Sequence, residues 1–133
     1  MTVVDSSAWI GFSRGALDAA THRHLTLTLR AGDAVLSQFV WLELTVGLRS
    51  PAERRLARDI RESASWEPLT EDDGQRAESL AARLREKGRF LSAPDLLVFT
   101  VAQRLGAKLL HCDSDFDRVL ELPEFAPMRL SRQ

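Results

Sequence analysis

The apolar residues of this chain fall into two kinds of block. Thr2-Val3-Val4, Ala34-Val35-Leu36-Ser37 and Lys108-Leu109-Leu110-His111-Cys112 are short and nearly continuous, the pattern of strands buried on both faces. Between them lie longer segments with helical spacing. Residues 7–12 form a short helix that stops near Gly15, and residues 17–29 form a second, with Leu25 and Leu29 four apart and Ala20 nearby. Ala31-Gly32-Asp33 is a turn. Residues 39–48 are apolar on nearly every side, which predicts a buried helix. Ser50-Pro51 opens a helix over residues 51–63, whose Arg54, Arg55, Arg58 and Arg61 face water, and residues 66–69 are extended.

Thr70-Glu71-Asp72-Asp73 has capping-box spacing and opens a helix through Arg85, with Leu80 and Leu84 on one face and Gly88 at its end. Ser92-Ala93-Pro94-Asp95 opens another, which runs to Leu105 and stops at Gly106. Asp113 ends the strand at 108–112, a short helix covers residues 116–120, and a last strand lies near residues 125–130. Strands alternating with helices predict an α/β fold with a mostly parallel sheet covered on both faces.

The length of 133 residues suits one domain, 1–133, with a single core. The net charge of −1 means that a nucleic-acid partner needs a local basic patch. Two patches qualify, Arg54 to Arg61 and the group Arg83, Arg85, Lys87 and Arg89 beside Gly88; each is also the composition of an ordinary solvated face. One cysteine, Cys112, excludes an internal disulfide and fits a reducing compartment. No signal peptide or membrane-length apolar run is present, so a cytoplasmic location and no membrane partner are expected.

Candidate chemistry lies in the acids. Asp5 follows the first strand, Glu43 lies within an apolar helix, Asp95 opens another, and Asp113 follows a second strand. Each has a plain reading alone. Asp5 and Asp95 suit helix caps or first turns, Asp113 suits a turn, and Glu43 could pair with an arginine or share a polar strip with Gln38 and Thr45. Together they suggest one crevice, because ligands of open α/β sheets bind beyond the strands' carboxyl ends. Such all-oxygen donors suit Mg²⁺ or Mn²⁺. Zinc is disfavoured, since His22, His24 and His111 show no ligand spacing with Cys112. Asp115 and Asp117 crowd the turn after Asp113, and a cation would relieve that repulsion.

Ser6 and Ser7 are supporting candidates, able to cap a helix or bond Asp5 or bound water. An EF-hand loop beginning at Asp113 is disfavoured by Arg118 where glycine is needed, by Pro123, and by a preceding strand. A phosphoryl-transfer nucleophile at Asp5 is disfavoured by Ser7, where a second acid is usual. Trp9, Trp41 and Phe99 read as core.

The order Val4-Asp5-Ser6-Ser7, Glu43, Asp95-Leu96-Leu97, then Asp113-Ser114-Asp115-Phe116 resembles a PIN domain, and more narrowly the VapC toxins of bacterial type II toxin–antitoxin pairs. The resemblance spans nearly the whole chain, and residues 93–116 carry most of it. It implies a three-layer α/β/α PIN-like fold and an Mg²⁺- or Mn²⁺-dependent endoribonuclease. Asp5, Glu43, Asp95 and Asp113 are then the catalytic and metal-holding acids, with Asp115 a possible fifth. The expected reaction is phosphodiester hydrolysis by a metal-activated water, with tRNA or rRNA as target. A cognate VapB-type antitoxin and a homodimer are the implied partners. His111 departs from the family, where many members carry threonine or serine. The reading from another class is a catalytically silent PIN-like module that binds protein or RNA.

Overall fold

Burial on both faces makes Val3 and Val4 the centre of the molecule; neither exposes any surface. A computed structural model describes residues 1–112, 114–117 and 130–132. In chain order the elements are β1 (Thr2–Val4), α1 (Ser6–Ser13), α2 (Ala19–Arg30), β2 (Ala34–Ser37), α3 (Gln38–Gly47), α4 (Pro51–Ser63) and β3 (Ser65–Glu67). Then come α5 (Glu71–Glu86), α6 (Ala93–Leu105), β4 (Lys108–His111), a 3₁₀ turn (Ser114–Phe116) and β5 (Leu130–Arg132).

The sheet order is β3-β2-β1-β4-β5. Every pairing is parallel. The first two crossovers step one way along the sheet, and the third steps back past β1 to β4. Such crossovers are right-handed, so the two sets of helices fall on opposite faces. The result is a three-layer α/β/α fold, with α2 and α3 against β2, α6 against β1 and β4, and α5 against α6. The direction changes between β1 and β4, which makes the ends of those strands the natural crevice. Trp9, Leu25, Leu36, Leu80, Leu84, Phe99, Leu109 and Leu110 fill the core around them.

Local sequence explains most element ends. Pro51 starts α4 behind the Ser50 cap. The Thr70 hydroxyl accepts from the Asp73 N–H and the Asp73 carboxylate accepts from the Thr70 N–H, closing the capping box of α5. Gly106 ends α6 at φ 60°, a left-handed conformation costly for any residue with a Cβ.

One expectation needs correction, and two more fall partly outside the described residues. The helix at 38–47 is buried on one side only: Val40 and Leu44 face the core, whereas Leu42 is 57% and Val46 80% exposed. Its far side has no second layer to cover it, so its composition overstates its burial. A last strand is described at Leu130–Arg132, overlapping the expected 125–130 at Leu130; residues 125–129 lie outside the described residues. The helix at 116–120 is represented by the 3₁₀ turn Ser114–Phe116 and a helical Asp117; residues 118–120 lie outside the described residues. β4, a strand, leads into this turn, where an EF-hand needs a helix.

Arg104, in the last turn of α6, ties three elements together. Its Nε donates to Asp73 Oδ1 at 2.7 Å, its Nη2 to Asp73 Oδ2 at 3.0 Å and its Nη1 to Glu67 Oε1 at 2.6 Å. Asp73 is fully buried, so the forked pairing is what makes its charge tolerable. Although burial alone would raise the Asp73 pKa, Arg104 and Thr70 together hold it below the usual carboxylate value. Arg104→Ala is expected to cost about 3 kcal/mol in chemical denaturation, because it strands a buried carboxylate. The Asp73 contribution is present above its ordinary pKa of 3.8 and is lost as pH falls through its lower folded value. Wild type should therefore lose this advantage over the variant in strong acid.

Candidate active site

β1 delivers Asp5 to the carboxyl edge of the sheet. Its N–H donates to the Leu110 carbonyl at 2.9 Å, extending the β1–β4 ladder one step past the strand. Asp5 is 4% exposed and caps α1: its Oδ2 accepts from the Ser7 N–H at 3.2 Å and from the Ser7 hydroxyl at 2.6 Å. The cap and the site role are compatible, because both bonds fall on Oδ2. Ser7 Oγ also accepts from the Cys112 N–H at 3.1 Å. One hydroxyl thus links the acid after β1 to the backbone just after β4.

α3 delivers Glu43 to the same edge, through its contacts with α1 and α6. Burial is the largest effect on the Glu43 carboxyl and raises its pKa above 4.5; the Asp5 and Asp95 charges raise it further, and a hydrogen bond from the Ser6 side chain opposes them. Glu43 Oε1 is buried and has no hydrogen-bond partner among the described residues. Among the described residues no arginine pairs with Glu43, and Gln38 accepts from the Leu69 N–H at 2.9 Å. Among the described residues neither an arginine nor Gln38 satisfies the buried Glu43 oxygen. α6 delivers Asp95 in its first turn, where the Asp95 N–H donates to the Ser92 hydroxyl at 3.3 Å.

Asp5 and Asp95 thus both lie near enough to Glu43 for their charges to act on it, and Ser7 bonds Asp5. Asp113 lies outside the described residues. Asp115 and Asp117 are half-buried at the 3₁₀ turn that follows β4. His111 is buried with its ring 4.8 Å from that of Phe116, so the histidine that departs from the family packs the wall behind this turn. Sequence reasoning missed the link from Ser7 to Cys112. Its signal was a hydroxyl two residues after a strand-ending acid, a spacing that lets one side chain reach both strand ends.

Among the described residues no three His, Cys, Asp or Glu side chains form a group that could hold a metal ion. The donor chemistry still fits a hard cation. The described acids are all-oxygen donors whose charges repel, and the Glu43 oxygen is buried without a donor.

The PIN domain family matches residues 2–122. The chain belongs to this family. The matched region contains Asp5, Glu43, Asp95 and Asp113. No curated protein matches the chain in sequence. Among solved structures, VapBC2 from Rickettsia felis bound to a promoter DNA fragment is similar at 16% identity and a TM-score of 0.76, over 99% of this chain and 98% of that one. DNA-bound VapBC from Salmonella typhimurium is similar at 15% identity and a TM-score of 0.77, over 98% and 96%. VapC20 from Mycobacterium tuberculosis, a sarcin-ricin loop cleaving toxin, is similar at 24% identity and a TM-score of 0.66, over 88% and 93%. At these identities the likeness is one of fold. No described helix is long and apolar enough to cross a membrane.

Two predictions test this PIN site. Glu43→Gln in chelator is expected to raise the melting temperature at neutral pH, since the amide keeps the shape and removes the repelled charge. The sign follows from the raised pKa: the Glu43 contribution to stability is fully present below 4.5 and is lost as pH rises through the folded value. The gain should therefore shrink towards acid. Ser7→Ala is expected to cost about 1–3 kcal/mol in denaturant melts, because the buried Asp5 and the Cys112 N–H both lose a partner.

Proposed function

We propose that this chain is a VapC-type toxin: an Mg²⁺- or Mn²⁺-dependent endoribonuclease of a type II toxin–antitoxin pair. The observation that carries the reading is Glu43. A carboxylate oxygen sits buried without a donor among the described residues, acted on by the Asp5 and Asp95 charges, in a PIN fold. A protein gains nothing in stability from that arrangement, so a bound cation is its natural partner.

Asp5, Glu43, Asp95 and Asp113 would hold the ion, with Asp115 as a possible fifth acid. When bound, the ion lowers the pKa of a water and stabilises charge building on the phosphate and leaving oxygens. The rest of the work belongs to the chain. Ser7 fixes the Asp5 carboxylate against the end of β4, so the first acid does not reorient as substrate arrives. Ser6 holds Glu43 from the α1 side. Both act as positioning residues.

The VapBC structures and the toxin VapC20 support a VapB-type antitoxin as partner and RNA as substrate, with tRNA or rRNA the favoured class. Exposed Leu42 and Val46 flank Glu43 on α3 and give a covering partner apolar surface next to the site. The family resemblance carries the homodimer and the cytoplasmic location.

The test is cleavage of tRNA and rRNA fragments by the purified chain with Mg²⁺ or Mn²⁺, in EDTA, and by Asp5→Asn. EDTA is expected to abolish cleavage, and Asp5→Asn to slow it by about two orders of magnitude or more. Cleavage that persists in EDTA or in the variant would overturn the metal mechanism. A well-folded chain that cuts none of these RNAs leaves a binding module.

A further inference from the structure

We propose that the connection between α5 and α6, residues 87–92, seats an unpaired stretch of the RNA substrate, with Phe90 as its stacking platform. This deepens the ribonuclease reading above and rests on it.

Phe90 is the observation that asks for an occupant. It is 71% exposed, while Leu91 beside it is 4% exposed and anchors the connection in the core. An aromatic ring held in water on a polar turn does nothing for the fold. Gly88, at φ 67°, is the left-handed step that turns the chain out of α5 just before this ring.

The surroundings select the occupant. Arg83, Arg85, Lys87 and Arg89 are all exposed, and Glu86 is the one acid between 83 and 89. Arg83 and Arg85 also offset the dipole at the end of α5, so their charge alone would not demand a ligand. The dipole does not account for Phe90. Cations around an exposed aromatic are the components that bind single-stranded nucleic acid, the cations tracking phosphates and the ring stacking a base. A duplex offers no free base face, which favours an unpaired stretch. The other arginine-rich surface differs. On α4, Arg54, Arg55, Arg58 and Arg61 alternate with Glu53, Asp59 and Glu62, and Arg61 lies 3.5 Å from the centre of the Trp66 ring. That surface is a solvated face.

Position links the seat to the chemistry. Phe90 stands two residues before Ser92, the cap of α6, and Asp95 lies in the first turn of that helix. At about 3.6 Å per extended residue and about 5 Å per helical turn, the Phe90 backbone is within roughly 12 Å of that of Asp95. A strand cut beside Asp95 is therefore within reach of the connection.

The experiment is an anisotropy titration of the full chain with a fluorescein-labelled oligoadenylate of about ten nucleotides, in EDTA. Phe90→Ala is expected to weaken binding at least about fivefold, and Phe90→Trp to keep it near wild type, because stacking accepts any large ring. Arg85→Ala should weaken binding and lower the salt slope by about one. Thermal melts of the Phe90 variants should match wild type, since the side chain lies outside the core. Binding by Phe90→Ala within about twofold of wild type, or no binding by wild type, would overturn the proposal. Failure of the ribonuclease reading looks different: wild type would bind the oligonucleotide through Phe90 yet cut no RNA with Mg²⁺.

Discussion

A strand buried on both faces has no room for charge along its length, so a charged group can appear only at its ends. β1 obeys this strictly: Val3 and Val4 are sealed by helices, and Asp5 is the next residue. β4 runs beside it in parallel and ends at the same edge. The change of direction between these strands opens a gap there, and α1, α3 and α6 meet around it. Asp5 stands at this edge because its strand has no other place for a charge, and helices α3 and α6 carry Glu43 and Asp95.

Two acids in this chain receive opposite treatment. Asp73 is enclosed completely, but Arg104 grips both oxygens and Thr70 completes the set. Glu43 is also drawn inward, yet its charged neighbours are acids and one oxygen has no donor among the described residues. The first arrangement stabilises the joint of β3, α5 and α6. The second works against the fold, and such local conflict between stability and placement is a physical mark of a functional site.

Much of this was legible in the sequence because it depends on short-range chemistry. Pro51 behind Ser50, the box at Thr70 and the stop at Gly106 each act within one helical turn. The buried strands were legible because both their faces are apolar. Burial of α3 was not, since an apolar helix looks the same from sequence whether one side or all sides are covered; Leu42 and Val46 turned out exposed. The Ser7 link to Cys112 joins residues far apart in the chain, which no local pattern encodes. Glu43 stood out as an anomaly in an apolar helix, but that its neighbours would be acids depended on the fold. Asp113 was singled out from sequence and lies outside the described residues.

The Ser7 hydroxyl has one more consequence, for folding errors. β1 and β4 pair through few residues, and a slip of one position would still place apolar side chains against the sheet. It would also move the Cys112 N–H away from Ser7 and change which face His111 and its neighbours occupy. The hydroxyl bond closes only in the native alignment. The contact that orients the first acid is therefore also a check on how the two strands have assembled, so a misaligned sheet would lack a properly set Asp5.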